Sequence, residues 1–232
     1  MGSEMAHFWD FILDLLFPPR CVGCGSLGKW FCDDCLKEIR FLEGPRCRFC
    51  GTPMDDWGVC PSCASEPHSL EGIISVACFE GPIQNAIHLL KYRGRTAVAP
   101  ALAEFMASHM HHHPVNADGI VPVPLHPTRL RERGYNQSAL LAESLGRRLG
   151  MPVFDGALER IRYTRPQVGL NAQERKENVR GAFRANPARV AGRNLILVDD
   201  VCTTGATLEE CASALKEAGA GKVWGLTLAR AI

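Results

Sequence analysis

Two adjacent carboxylates, Asp199 and Asp200, follow four consecutive apolar residues, Leu195 to Val198. Such an apolar run reads as a central parallel strand buried on both faces. Two acids at its carboxyl end cannot both be desolvated cheaply, so they are expected to face a polar ligand or a cation. Val201-Cys202-Thr203-Thr204-Gly205-Ala206-Thr207 then opens a helical pattern running to about Leu215. Free amides and hydroxyls at a helix N-terminus form an anion site, and Gly205 permits close backbone approach. Acid pair and hydroxyl-rich loop together suit a sugar phosphate, the carboxylates taking ribose hydroxyls and the loop taking the phosphate.

A second chemistry lies in four Cys-x-x-Cys pairs, 21/24, 32/35, 47/50 and 60/63. Each pair can present two thiolates, and two pairs complete a tetrahedral zinc site. Eight metal-ligating cysteines therefore predict two structural zinc ions, Cys21, Cys24, Cys32 and Cys35 holding one and Cys47, Cys50, Cys60 and Cys63 the other. Short spacers favour this sequential pairing, with an interleaved one still open. A disulfide framework fits poorly because no export signal accompanies the cysteines. A redox motif normally stands alone on a thioredoxin-like unit. Cys78, Cys202 and Cys211 have no partner spacing and read as small buried apolar residues.

Cations mark further candidate positions. Ile120 to Pro124 reads as a strand ending in a stiff turn, and Arg129, Arg131 and Arg133 follow it closely. Arginines near a strand's carboxyl end suit a diphosphate. Arg162, Thr164, Arg165, Gln167, Asn171, Arg175 and Asn178 form a polar stretch that reads as a mobile lid leading into a short helix. Lys91, Arg93 and Arg95 stand at the end of a helix over 82–92. They either complement its dipole or contact nucleic acid. The aromatic residues Trp30, Phe31, Phe49 and Trp57 between the cysteines could stack bases of single-stranded DNA. His109 and His111 to His113 read as an exposed, frayed helix end.

Around these positions, 232 residues with 46% apolar content can bury a substantial core in one large or two small domains. A formal charge of +1 gives no global attraction to nucleic acid or membrane, so any such contact must be a local patch. No apolar run spans a bilayer and no secretory pattern opens the chain, which points to the cytoplasm. Residues 5–17 form a short, strongly apolar helical pattern closed by Pro18-Pro19, read as docked on its own protein or as a surface anchor. The expected division is 1–68 for the N-terminal helix and metal region and 69–232 for an α/β domain, its mostly parallel sheet flanked by helices.

The Asp199–Thr207 order resembles the phosphoribosyl pyrophosphate (PRPP) signature of type I phosphoribosyltransferases. Together with Leu-Phe-Pro-Pro-Arg-Cys at 16–21, Leu-Lys-Tyr-Arg-Gly-Arg at 90–95, Val-Pro-Val-Pro-Leu-His at 121–126 and Arg-Gly-Tyr-Asn-Gln-Ser at 133–138, the chain resembles the ComF family. That resemblance implies a double zinc ribbon joined to a type I phosphoribosyltransferase fold. It implies PRPP contacts from His126, Arg129, Arg131, Arg133, Gln137, Arg162, Thr164, Arg165 and Gln167, with Asp199, Asp200 and Arg162 nearest the chemistry and Mg2+ bound with PRPP. It implies a link to DNA-uptake machinery. The acceptor is not legible, nor whether the chain is an enzyme or a PRPP-sensing or DNA-binding scaffold.

Overall fold

The computed structural model describes residues 18–164 and 171–231, so the apolar stretch 5–17 and the lid positions Arg165 and Gln167 lie outside the described residues. Two short helices, α1 (Asp33–Lys37) and α2 (Pro61–Ala64), belong to the cysteine-rich region. Next come β1 (Gly72–Cys78), α3 (Gly81–Tyr92), a 3-10 turn (Thr96–Val98) and α4 (Ala99–His112). Then β2 (Gly119–Pro122), α5 (Pro127–Arg133) and α6 (Gln137–Leu149) follow. A hairpin of β3 (Leu158–Arg160) and β4 (Phe183–Ala185) brackets α7 (Ala172–Val179), and α8 (Pro187–Val190) follows it. The chain closes with β5 (Leu195–Cys202), α9 (Ala206–Glu217) and β6 (Val223–Arg230).

The main sheet is wholly parallel in the order β1-β6-β5-β2. Parallel strands need crossovers, which place helices on the faces and bury both sides of the central strands. One apolar layer joins Ile83, Ile87 and Leu90 of α3, Leu102 and Met106 of α4, and Leu141 and Leu145 of α6 to Ile196, Val198 and Leu226. The opposite layer joins Leu208, Cys211 and Leu215 of α9 to Leu195, Leu197, Val223 and Phe183. Leu145 is fully buried, so Leu145→Ala should cost about 2–5 kcal/mol.

An exposed sheet edge would template aggregation. Here the cysteine-rich region covers the free edge of β1. Leu42 N donates to Val76 O (2.9 Å), Arg40 O accepts from Cys78 N (2.9 Å), and Arg48 O accepts from Ile73 N (3.1 Å). The far edge gains a parallel bridge from Ile120 to Val153. Among the described residues, the expected central strand and the helices after β1 and after the acid pair are found with shifted ends. β5 continues through both acids to Cys202, and the arginine turn after β2 is a helix.

Candidate active site and metal clusters

In open α/β sheets, ligands sit beyond the carboxyl ends of the strands. Here β5 brings Asp199 and Asp200 to that end. Asp199 Oδ1 accepts from Ser138 Oγ (2.8 Å) and from Asp200 N (2.9 Å). Asp200 is buried; its Oδ1 accepts from Val201 N (3.0 Å) and its Oδ2 lies 2.6 Å from Lys91 Nζ. Burial and the charge of Asp200 push the Asp199 carboxyl up to about 7, against the opposing pull of Lys91 and Ser138. Burial lowers the Lys91 ammonium, but the charge and hydrogen bond of Asp200 outweigh it, so the net shift is upward. Lys91 and Asp200 thus form a salt bridge at the acid pair.

Beside the acids, Thr203, Thr204 and Gly205 form the loop that enters α9. Gly205 caps that helix at φ 83°, in the left-handed region where a side chain is strained. A Cβ there would also meet Ile73 Cδ1 at 2.9 Å. Thr204 Oγ1 accepts from Ala206 N (3.4 Å). Burial pushes the Cys202 thiol up to about 11, with Arg230 pulling it down and Asp199 and Cys50 adding to the rise.

A cavity of about 540 Å³ is lined by Lys91, Tyr92, Arg129, Arg133, Tyr135 and Tyr163, together with the acid Glu132. Arg129 and Arg133 share one face of α5 at a spacing of four residues. Arg131 is exposed and does not line the cavity. Arg129 Nη2 donates to Thr164 O (3.4 Å), and its guanidinium lies over Tyr163. Arg133 Nη1 donates to Gln137 Oε1. Thus Gln137 and Thr164, both buried, orient arginines from behind. His126 caps α5, its Nδ1 accepting from Thr128 N (3.2 Å). Gly134, at φ 84°, ends α5, and Asn136 caps α6 by accepting from Ser138 N (3.1 Å). Arg162 points elsewhere: its Nη2 donates to the carbonyls of Asn178 (3.1 Å) and Arg180.

Sequence reasoning missed Lys91 as a partner of the acid pair, Ser138 as the donor to Asp199, the half-buried Arg160 and the buried Arg230. Arg160 Nη2 donates to Thr164 Oγ1, and burial, followed by Arg129, lowers its pKa. His109 also departs from its reading as a frayed end. It lines a cavity of about 500 Å³ with Arg46, Trp57 and Trp224, and burial lowers its pKa to about 4. Of the aromatic residues expected to stack bases, Phe31 is buried against Phe105 and Phe49 stacks on His68. Trp57 remains exposed, and Trp30 lines a groove of about 1100 Å³ with Arg20, His88, Tyr92, Arg93 and Arg95.

The cysteines gather sequentially. Cys21, Cys24, Cys32 and Cys35 have their ligand atoms within 4.8 Å of one another, as do Cys47, Cys50, Cys60 and Cys63. A tetrahedral zinc with sulfur ligands at about 2.3 Å requires sulfurs about 3.8 Å apart. Cys24–Cys32 at 3.7 Å and Cys50–Cys60 at 3.8 Å meet that requirement. Burial raises the Cys21 thiol, but amides of Cys24, Cys32 and Gly23 and the Cys35 thiol outweigh it and lower the pKa to about 6. Cys47 is lowered to about 6 in the same way. Both donor sets fit structural zinc with no open coordination position.

Zinc knuckles on a parallel sheet that ends in an acid pair and a hydroxyl loop define a double zinc ribbon joined to a type I phosphoribosyltransferase domain. Residues 12–64 match the double zinc ribbon domain family and 136–231 the phosphoribosyl transferase domain family. The chain is 31% identical to "Competence protein F" of Haemophilus influenzae, over 97% of this chain and 100% of that protein. It is 35% identical to "DNA utilization protein YhgH" of Escherichia coli K12 over 90% of this chain and 96% of that protein. It is 28% identical to "Competence protein ComFC" of Bacillus subtilis over 86% of this chain and 83% of that protein. The chain belongs to the ComF family. Among the described residues no helix is long and apolar enough to cross a membrane.

Proposed function

We propose that the protein binds PRPP with magnesium and transfers its phosphoribosyl group to a nitrogen nucleophile, releasing pyrophosphate. The observation that carries this reading is the joining of Asp199 and Asp200 to the Thr203–Gly205 loop beside a cavity walled by Lys91, Arg129 and Arg133. The acids suit the ribose hydroxyls, and the loop with the α9 N-terminus suits the 5-phosphate. Lys91, Arg129 and Arg133 face the pyrophosphate.

The oxygen ligands of the acid pair fit a hard cation, and Asp199 and Asp200 would hold magnesium directly or through ribose hydroxyls and water. That ion supplies neutralisation of the pyrophosphate charge. In the transfer, the bond from the anomeric carbon to pyrophosphate oxygen breaks and its electron pair leaves with the oxygen. The acceptor's nitrogen lone pair forms the new bond, and its surplus proton passes to solvent. Positive charge builds at the anomeric carbon, so the side chains act by positioning and charge stabilisation. Lys91, 2.6 Å from Asp200 Oδ2, orients that carboxyl group for this role.

Relatives named for competence and DNA utilisation support a role for this chemistry in the handling of incoming DNA. The groove that holds Trp30, Tyr92, Arg93 and Arg95 together supports a second reading, a PRPP-sensing scaffold that grips single-stranded DNA or an uptake partner. Incubating the protein with PRPP, magnesium and a panel of nucleobases and cell extract separates the two. Pyrophosphate release that depends on an added acceptor supports transfer. PRPP binding without release, together with a DNA complex, supports the scaffold.

A further inference from the structure

Arg230 closes β6 between Cys78 of β1 and Cys202 of β5, and only 5% of it is exposed. A buried guanidinium normally finds a carboxylate, because an isolated buried charge is costly. Among the described residues Arg230 makes no salt bridge; the ion pairs found there all lie elsewhere. Its Nη2 instead donates to Thr52 Oγ1 (3.1 Å) in the second ribbon, and its Nη1 to Cys202 Sγ (3.4 Å) at the entrance of the phosphate loop. Thr52 is in turn bonded to Cys50, a member of the second cluster (3.1 Å). Four thiolates around a divalent ion carry a net charge of about −2. With Cys50 a thiolate, the Thr52 hydroxyl donates to it and accepts from Arg230, so the cluster supplies the missing counter-charge. The ribbon backbone also approaches closely: a Cβ on Gly51 would lie 3.5 Å from Arg230 Nη1.

We infer that Arg230 is a positioning residue that couples the second four-cysteine cluster to the phosphate loop, so that metal occupancy there and PRPP binding strengthen each other. The inference rests on the PRPP reading above. Binding linkage is reciprocal, so PRPP must slow metal loss from the second cluster by the factor by which that metal tightens PRPP. Among the described residues the first cluster has no such connection. Ser26, the counterpart of Thr52, bonds Cys24 (3.2 Å) and, among the described residues, no guanidinium.

The test uses zinc-loaded full-length protein. A chromogenic chelator draws out zinc while N-ethylmaleimide marks each cysteine as it is freed, with peptide mass spectrometry assigning the cluster. PRPP with magnesium should slow labelling of Cys47, Cys50, Cys60 and Cys63 by about five-fold or more, the lower end of typical couplings, and leave Cys21, Cys24, Cys32 and Cys35 unchanged. Arg230→Met, near-isosteric and uncharged, should abolish the PRPP effect and weaken PRPP binding in calorimetry, and Arg230→Lys should restore part of both. Thr52→Val breaks the same bridge without touching the buried position and should also erase the PRPP effect, which keeps the inference testable if Arg230→Met does not fold. PRPP binding that protects both clusters equally, or neither, overturns the inference alone. No PRPP binding by the wild type overturns the substrate reading and this inference with it.

Discussion

The two ribbons are built alike and docked differently. In the first, Cys21 N donates to Ser26 O (2.7 Å) and Gly25 N to Cys21 O (2.9 Å); in the second, Cys47 N donates to Thr52 O (2.8 Å) and Gly51 N to Cys47 O (2.8 Å). Gly25 and Gly51 take matching left-handed angles of 79° and 70°. Yet the first ribbon sinks Val22 and Phe31 into the helical core, with Phe31 and Phe41 edge-on to Phe105, and its Val22 carbonyl accepts from Asn85 Nδ2 (3.1 Å). The second meets the start of β1, where Arg48 O accepts from Ile73 N (3.1 Å), and reaches Arg230. The knuckle is set by local spacing, whereas the residues between the cysteines decide whether it props the core or touches the ligand loop.

Breaking each ribbon in turn should give the largest effects. Cys47→Ser with Cys60→Ser should lower PRPP affinity more than Cys21→Ser with Cys32→Ser, which should act mainly on thermal stability because structural zinc supplies folding energy. Calorimetry on variants first shown to be folded by circular dichroism checks this, and equal losses of PRPP affinity would erase the contrast. Next in size, Phe105→Ala should cost about 3 kcal/mol in chemical denaturation by removing the ring that seats the first ribbon. PRPP affinity should be unchanged.

A smaller effect concerns pH. The raised pKa of Asp199, about 7, means that its contribution to stability is fully present below its unfolded value and is lost as pH rises through about 7. The melting temperature of the ligand-free wild type should therefore decline across that window, and Asp199→Asn should flatten the decline. The smallest effect is expected at the groove beside the first ribbon. Arg93→Glu with Arg95→Glu should weaken any single-stranded DNA binding and reduce its logarithmic salt slope by about 0.7 for each phosphate no longer neutralised. Lys91 is left intact in that variant because it is paired with Asp200. Anisotropy titrations at two salt concentrations report both quantities.

The central strand, the acid pair, the loop and both cysteine quartets were legible because each is a contiguous or closely spaced signal. An unbroken apolar run marked β5, and short spacers marked the sequential clusters. Lys91 was not legible as a site residue, since only the packing of α3 against the sheet carries it to Asp200, more than a hundred positions away. Arg131 differs from its neighbours in placement: within a helix its two-residue offset turns it from the face shared by Arg129 and Arg133. Arg230 stands just past the apolar run Val223 to Ala229 and carries no local signal of a role. Its partners, Thr52 and Cys202, come from distant parts of the chain.

The most direct measurement is a calorimetric titration of PRPP, with and without magnesium, into the wild type and into Asp199→Asn with Asp200→Asn. Magnesium-dependent binding by the wild type, with a loss of about ten-fold or more in the folded double variant, is the predicted result; a ten-fold loss corresponds to about 1.4 kcal/mol, within what a charged hydrogen-bonding group contributes. Equal affinity in both proteins would contradict the assignment of the acid pair to the ligand site.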